Sequence, residues 1–336
     1  MRRSSRKNDQ LSTIEDVARL SGVSTATVSR FLNHPNIVAK PTAQKVRAAI
    51  AELKYVPNAI AGSLASSKSQ LIAILVPNLT SSIVEETIEA LVNRLTASGT
   101  VPFLGITGMD PVRTNDVLMA ALSRRVTAVI TTGLIPEPAR GMLLQSNTSV
   151  IEMWGLPPEP VDIAIGFSHL DVGRALAKFS YERGYRRPHL VTARGTRAQL
   201  RRDGFLEDWL KLGGAMPTEQ EIAIPSTYDE GRRILDAISD LPTRPDLVVT
   251  GSDFVAHGLI AHAQRRGLRV PEDLAVMGFG DVGIAAMIEP SITTVRIDGA
   301  KIADRAIEVI RTRDEDKEPE SRRIDCGFEI MERESA

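Results

Sequence analysis

The sequence of 336 residues has a single cysteine, Cys326, and few aromatic residues, 4% in all. One cysteine excludes an internal disulfide framework and a cysteine-based zinc site. The first ten residues are polar and charged, so we predict no secretory signal. The longest apolar runs, such as Leu71–Val76, are too short for a membrane span, which needs about 20 apolar residues. We therefore predict a cytoplasmic protein that does not engage a membrane.

The motifs that usually carry catalysis or metal binding are also missing. No HExxH, GxSxG or phosphate-loop pattern occurs. The residues Gly278–Gly283 match GxGxxG, but Pro290 leaves room for only a short helix, whereas a dinucleotide site needs a long one. We predict no enzyme, no metal and no cofactor, and we interpret the five histidines as surface or structural residues: His34, His169, His189, His257 and His262.

The charge is divided unevenly along the chain. Residues 1–60 hold ten Lys and Arg against four Asp and Glu, a net charge of +6. The remaining residues hold 31 basic against 38 acidic side chains, a net charge of −7. A basic N-terminal segment on an acidic body predicts a polyanionic partner at one end only.

A helix-turn-helix is predicted between Thr13 and Asn33. Thr13 followed by Asp16 predicts a capped helix start, and Gly22 supplies the positive φ that a sharp turn needs. Ser24 can cap a second helix, which packs through Val28, Phe31 and Leu32 and presents a polar face made of Thr25, Ala26, Thr27, Ser29 and Arg30. Such a face suits the DNA major groove. An ordinary helical hairpin is the alternative, which the offsets of four and ten residues from Ala18 to Gly22 and Val28 disfavour.

A third helix is predicted at 41–53, where Val46, Ala49, Ile50 and Leu53 form an apolar stripe. The segment that follows, 55–69, is linker-like in composition but contains a marginal helical tract. It is either a flexible tether or a hinge helix that folds on DNA and inserts Leu64 into the minor groove.

From Leu71 onward, candidate strands and helices alternate, which predicts parallel sheets with helices on both faces. The strands are too many for one small sheet, so we predict two doubly wound subdomains, periplasmic-binding-protein-like, around a ligand cleft. The predicted divisions are a basic disordered arm at 1–11, an all-α helix-turn-helix headpiece at 12–57, a hinge helix and linker at 58–69, and an α/β core at 70–330. Within the core, we expect an N-subdomain of about 70–160 plus 292–320 and a C-subdomain of about 161–291 plus 321–330, with a first crossing at Leu156–Pro160.

Together these features resemble the LacI/GalR family of bacterial transcriptional regulators. The resemblance runs from Thr13 to about Phe328 and rests on Asp16-Val17-Ala18, Gly22-Val23-Ser24, Thr27-Val28-Ser29-Arg30, Asn33, Tyr55-Val56-Pro57-Asn58 and Leu64. The chain is most similar in appearance to the gluconate-repressor branch, through the segments 28–32, 75–80, 150–153 and 162–167. The resemblance implies a homodimer that binds a pseudo-palindromic operator in double-stranded DNA.

The resemblance also implies the DNA contacts. Thr25, Ala26 and Arg30 would read bases, with Arg30 donating to a guanine. The phosphate contacts would come from Thr13, Ser24, Thr27, Ser29 and Asn33. In the hinge, Asn58 would contact DNA, and Ala61 and Leu64 would enter the minor groove.

In the core, Arg201 matches the family's effector-clamping arginine, the alternative being a solvated arginine beside Arg197 and Arg202. Ser252 replaces the usual Asn before Asp, and Gly280 replaces an Asp that many sugar- and purine-responsive members carry. Because an Asp would repel an anion in a dry cleft, its absence predicts an acidic effector. Weaker pocket candidates lie at strand ends or in loops: Asn78, Ser81, Ile83, Thr132 and Tyr228.

We therefore predict a repressor of a carbohydrate or sugar-acid operon. Gluconate, a ketogluconate or a phosphorylated form would release it from DNA by shifting a conformational equilibrium. A co-repressor-dependent regulator that responds to a neutral sugar stays open as an alternative. A transport solute-binding protein would share the core, but it predicts a signal peptide and no basic headpiece.

Overall fold

The computed structural model describes residues 12–56, 71–79, 83–146, 148–315, 317, 319 and 321–336. By its contacts the chain divides into two compact units, Met1–Ser69 and Gln70–Ala336. The predicted arm at 1–11 and the predicted hinge and linker at 58–69 lie outside the described residues.

The described residues of the N-terminal unit, 12–56, form three α-helices and one short 3-10 turn at Pro35–Ile37. The helices are α1 (Ile14–Ser21), α2 (Thr25–Asn33) and α3 (Lys40–Leu53). Val17, Val28 and Val46 contribute one fully buried side chain from each helix to a common core. Of the predicted stripe on α3, Val46 and Ala49 are buried, while Ile50 and Leu53 pack against the core at its edge.

The C-terminal unit contains a six-stranded parallel sheet. In spatial order its strands are β11, β5, β4, β3, β1 and β2. Their bounds are β1 (Leu71–Val76), β2 (Val101–Ile106), β3 (Ala128–Thr131), β4 (Ser149–Met153), β5 (Ile163–Gly166) and β11 (Arg323–Asp325). Alternate residues of β1 enter two different apolar clusters, so both faces of this sheet are covered, as in a doubly wound fold.

A second parallel sheet has the order β7, β6, β8 and β9. Its strands are β6 (Pro188–Ala193), β7 (Thr218–Ile222), β8 (Leu247–Val249) and β9 (Ala275–Met277). An antiparallel pair, β10 (Thr294–Arg296) and β12 (Glu329–Met331), joins its edge through bridges at Met277–Thr293 and Gly280–Arg296.

Eight α-helices of the described residues cover the two sheets. They are α4 (Glu85–Ala97), α5 (Pro111–Leu122), α6 (Ala139–Gln145), α7 (His169–Glu182), α8 (Thr196–Lys211), α9 (Tyr228–Ser239), α10 (Asp253–Arg265) and α11 (Gly299–Asp314). The predicted alternation of strands and helices is present in the core. No helix in the described parts of the chain is both long and apolar enough to cross a bilayer.

The structure differs from the predicted division of the core in the placement of three strands. The chain does not cross at Leu156–Pro160, because β5 returns beside β4 in the first sheet. Prolines in that loop prevent a helix, so a loop connects two neighbouring parallel strands, which are usually joined by a crossover helix. The strand β11 also pairs with β5, and β10 attaches to the second sheet, although 321–330 and 292–320 were assigned the other way.

Candidate functional sites

The start of α1 is held by a capping box between Thr13 and Asp16. The Thr13 hydroxyl accepts from the Asp16 backbone N–H at 3.3 Å, and the Asp16 carboxylate accepts from the Thr13 backbone N–H at 3.0 Å. The carboxylate also accepts from the Thr13 hydroxyl at 2.9 Å, and the bonds from the Thr13 backbone N–H and hydroxyl lower the pKa of Asp16. The acid is therefore fixed at the positive end of the helix, where it is electrostatically favourable.

A tight turn separates α1 from α2. Gly22 has φ +68° in the left-handed region, and Ser24 then caps α2 by accepting from the Thr27 backbone N–H at 3.2 Å. Left-handed backbone is easily adopted by glycine and costly for other residues. The turn fixes the approach of the two helices, whose residues Ala18 and Val28 are both buried between them.

The two faces of α2 differ as predicted. Val28 and Phe31 are buried, while Thr25, Ala26 and Arg30 are exposed and Thr27 and Ser29 are partly exposed. Short hydrogen-bonding side chains and one guanidinium therefore lie on the outer face of α2, which is the arrangement by which a recognition helix meets base edges. Asn33 ends the helix, but its side chain lies outside the description, as do Asn58, Ala61 and Leu64.

In the core, Arg201 projects from α8 toward the start of α7. Its Nη1 donates to Nδ1 of His169 at 3.0 Å, and its guanidinium carbon lies 4.2 Å from the ring centroid of Phe279. His169 in turn donates from Nε2 to the Trp154 carbonyl at 2.9 Å. Arg201, His169 and Trp154 thus form a chain that links α7, α8 and the end of β4.

His169 is neutral in this arrangement. Burial, and the adjacent charges of Arg201 and Arg197, lower its pKa from 6.5 to about 2. A neutral ring that donates through Nε2 has a lone pair on Nδ1, which is the atom that Arg201 requires. Phe167 packs on the same ring at a centroid distance of 4.5 Å and keeps it dry.

Arg197 lies one turn before Arg201 on α8 and spans to the other sheet. Its Nη1 donates to the Thr132 carbonyl at 2.6 Å, and its Nη2 donates to the Met153 carbonyl at 2.8 Å. These carbonyls follow the carboxyl ends of β3 and β4, where ligands bind in open α/β sheets. Gly155 leaves space for the Arg197 side chain, because a Cβ at position 155 would lie 3.2 Å from Nε of Arg197.

The two guanidiniums form a positive centre on one face of α8. Burial lowers the pKa of each arginine from 12.5 to about 10, so both stay charged near pH 7. Among the described residues, no carboxylate forms an ion pair with either one. The charge of Glu152 raises the pKa of Arg197, but the Glu152 carboxylate accepts its hydrogen bond from the Val161 backbone N–H at 2.6 Å.

Gly280 lies where the two subdomains meet. A Cβ at this position would lie 2.7 Å from Cγ2 of Ile83, and φ is +123°. Ile83 therefore occupies the space that an Asp side chain would need. Asp253 is buried behind it, accepts from Thr294 Oγ1 at 2.6 Å and from the Val282 backbone N–H at 2.9 Å, and has its pKa raised to about 6 by burial.

The other predicted pocket residues lie in different parts of the core. Thr132 is buried beside Arg197, and its hydroxyl has no partner among the described residues. Ser252 caps α10 through the Phe254 backbone N–H at 3.3 Å, and Tyr228 packs on Phe254 and His257, a cluster that does not include Arg201. Asn78 is partly exposed after β1, and Ser81 lies outside the described residues.

His169 and Arg197 are the site residues that the sequence did not indicate. We interpreted His169 as structural and Arg197 only as a solvated neighbour of Arg201. A usable signal existed, since Arg197 and Arg201 are four residues apart and therefore share one helix face. The glycine-rich segment at 278–283 is followed by a 3-10 turn, Gly283–Ala286, which gives no dinucleotide-binding helix. The described residues contain no cluster of metal-ligating side chains.

Comparison with known proteins identifies the family. Residues 13–58 match the family of bacterial regulatory proteins, lacI family, and residues 177–336 match a periplasmic binding protein-like domain. The HTH-type transcriptional regulator GntR of Pseudomonas aeruginosa is 33% identical over 326 residues, which cover 96% of this chain and 95% of that protein. This chain belongs to the LacI family.

Further similarities agree with this assignment. The HTH-type transcriptional repressor PurR of Vibrio atlanticus is 30% identical over 96% of this chain and 98% of its own. The crystal structure of a LacI-family regulator from Silicibacter pomeroyi superimposes with a TM-score of 0.87 at 31% identity, covering 96% of this chain and 99% of that one. The predicted family and fold class are confirmed, and the chain is a DNA-binding transcriptional repressor rather than an enzyme.

Proposed function

We propose that the LacI-family chain is a homodimeric repressor that a small sugar acid releases from a pseudo-palindromic operator. The surroundings of Arg201 are the observation that supports an acidic effector. Its charge is fixed in the cleft by a neutral histidine and an aromatic ring, neither of which neutralises it. A carboxylate or phosphate would supply the missing negative charge through charge-assisted hydrogen bonds.

Gly280 supports an acidic effector by the same reasoning. No carboxylate projects from this position, and the buried Asp253 behind it is engaged by Thr294 and Val282. Asp281, the next acid along the chain, is paired with Arg296 at 2.7 Å and with Arg333 at 2.6 Å. The acids near Arg201 are thus satisfied by protein partners, which leaves an anion less repulsion to overcome.

Arg201 lines a small cavity within the second subdomain. The cavity beside it has a volume of about 30 Å³ and is lined in part by Leu190, Phe205, Gly251 and Phe279. That volume is the share of about one water molecule in the liquid, far less than a sugar acid occupies. A sugar acid would therefore require the residues around Arg201 to move apart, and we propose that this change is coupled to lower operator affinity.

Exposed apolar side chains support a dimer through the first subdomain. On β2, an edge strand, Val101, Leu104 and Ile106 are exposed, and on α5 so are Val112 and Met119. An apolar sheet edge that is left uncovered is an association surface. A second copy of the chain is the partner we propose for it.

The proposal is tested by operator binding measured as fluorescence anisotropy on the DNA upstream of the protein's own gene. We expect gluconate, a ketogluconate or a phosphorylated form to weaken binding, and Arg201→Ala to abolish that response while leaving effector-free DNA binding intact. Arg202→Ala is the matched control, because Arg202 lies on the same helix but pairs with Glu219 at 2.7 Å. Release by a neutral sugar alone would contradict the acidic effector, and tighter DNA binding with the acid would make it a co-repressor.

A further inference from the structure

Arg197 forms hydrogen bonds between two subdomains in a way that an effector could replace. It belongs to α8 of the second subdomain, yet its two described partners are carbonyls of the first, those of Thr132 and Met153. Carbonyl oxygens accept hydrogen bonds but carry no net charge. A carboxylate or phosphate would bind the same guanidinium more strongly, because its net negative charge adds Coulombic attraction and its two oxygens allow a bidentate pair.

The spacing of the two arginines makes this exchange favourable. Like charges four residues apart on a helix destabilise it, and here both are also partly removed from water. Burial disfavours the charged form of each arginine, and the neighbouring charge of Arg197 disfavours the charged form of Arg201 further. One acid group can compensate one guanidinium, so an effector with two acid groups would compensate both.

Thr132 provides a second, independent observation at the same place. Its side chain is 3% exposed, and its Oγ1 has no hydrogen-bond partner among the described residues. Buried hydroxyls are rarely left unpaired, so such a group indicates an absent partner. The carbonyl of Thr132 is one of the two that accept from Arg197. The unpaired hydroxyl and the guanidinium therefore lie beside the same residue.

We propose that Arg197 is a second anion-binding group of the effector cleft and that the preferred effector carries two acid groups. This inference rests on the proposed function, in which Arg201 binds the first acid group. The second acid group would displace the Thr132 and Met153 carbonyls from Arg197 and accept from the Thr132 hydroxyl. An aldaric acid and a phosphorylated aldonic acid both have this chemistry.

The test is calorimetry on the full chain with four probes: glucarate, 6-phosphogluconate, gluconate and glucose. In the unmodified chain we expect at least one of the two dianions to bind about tenfold or more tightly than gluconate. Arg197→Gln should remove that preference and leave gluconate affinity within about threefold, because Arg201 is intact. Arg197→Lys should restore part of the preference, and Arg202→Gln should change nothing.

The possible failures are distinguishable. Equal affinities for gluconate and both dianions, or a preference that survives Arg197→Gln, would overturn this inference and leave the proposed function standing. Binding of glucose alone, or of none of the acids, would overturn both. If Arg197→Gln does not fold, Thr132→Val keeps the test decisive, since removing the hydroxyl should weaken the dianion and leave gluconate unaffected.

Discussion

Arg201 donates to His169 across 32 residues of sequence, and the bond exists only because His169 is uncharged. The folded protein lowers the pKa of this histidine to about 2, whereas in the unfolded chain it titrates near 6.5. Below pH 6.5, His169 therefore binds a proton in the unfolded state but stays neutral in the folded state. The stability that depends on neutral His169 is fully present above pH 6.5 and decreases as the pH falls.

We predict that acidification destabilises the unmodified core relative to His169→Asn, whose amide oxygen can still accept from Arg201. Between pH 7.5 and pH 5 the free energy of unfolding should fall by about 2 kcal/mol more in the unmodified chain. Comparing the two chains removes the opposite contribution of Asp253, whose raised pKa favours the folded state in acid. Urea unfolding followed by the fluorescence of Trp154 and Trp209 measures the difference, and parallel pH curves would contradict the assignment.

Gly280 should tolerate no side chain. Gly280→Ala places a Cβ against Ile83 and forces an L-residue to φ +123°, so we expect a loss of about 1–3 kcal/mol in the free energy of unfolding. Gly283→Ala is the matched control, because a Cβ there meets nothing within 4 Å. Urea unfolding of both variants measures the contrast, and equal stabilities would refute the contact between subdomains.

The proposed dimer surface can be tested by introducing one charged side chain. Leu104 is 40% exposed on the edge strand β2, and Leu104→Lys would place an ammonium group in the proposed interface. We expect sedimentation to show monomers at concentrations where the unmodified chain is dimeric. Met216→Lys, at a 68% exposed apolar position on another surface, should leave the dimer intact. Dissociation by both variants, or by neither, would exclude β2 as the specific interface.

Arg30 should determine sequence preference on DNA. It is exposed on the polar face of α2, and a bidentate arginine–guanine contact is worth about 1–3 kcal/mol of discrimination. Arg30→Ala should reduce operator affinity by that amount and affect unrelated DNA much less. Arg19→Ala removes the same charge from α1 and should leave the ratio of specific to non-specific binding nearly unchanged. Anisotropy on both DNAs measures the ratio, and an unaltered ratio in Arg30→Ala would exclude base reading.

The sequence predicted the headpiece well because its determinants are local. The capping pair Thr13 and Asp16, the turn at Gly22 and the cap at Ser24 all act within a few residues. The alternation of strands and helices likewise predicted two parallel sheets. The pattern did not predict β7, because its residues Thr-Glu-Gln-Glu-Ile form a polar edge strand without an apolar run. The strand β5 was assigned to the wrong sheet, because a proline-rich loop replaces the crossover helix before it.

The proposed effector cleft was only partly predictable because the contacts of its residues are distant in sequence. Arg197 is 65 residues from Thr132 and 44 from Met153, and it meets them only after both sheets have formed. Nothing local distinguishes this arginine from a solvated one, since Arg202 on the same helix is indeed held by a surface carboxylate. Arg201 was found through the family resemblance and not through its surroundings.

The proposed mechanism requires that an acid in the cleft and DNA on the headpiece influence one another's binding. The most direct test measures two ratios for the same protein: operator affinity with and without the acid, and acid affinity with and without operator. Thermodynamic linkage requires the two ratios to be equal. We expect a common factor of about five or more that falls to one in Arg201→Ala. An acid that binds equally well to the free and the DNA-bound protein would contradict the account.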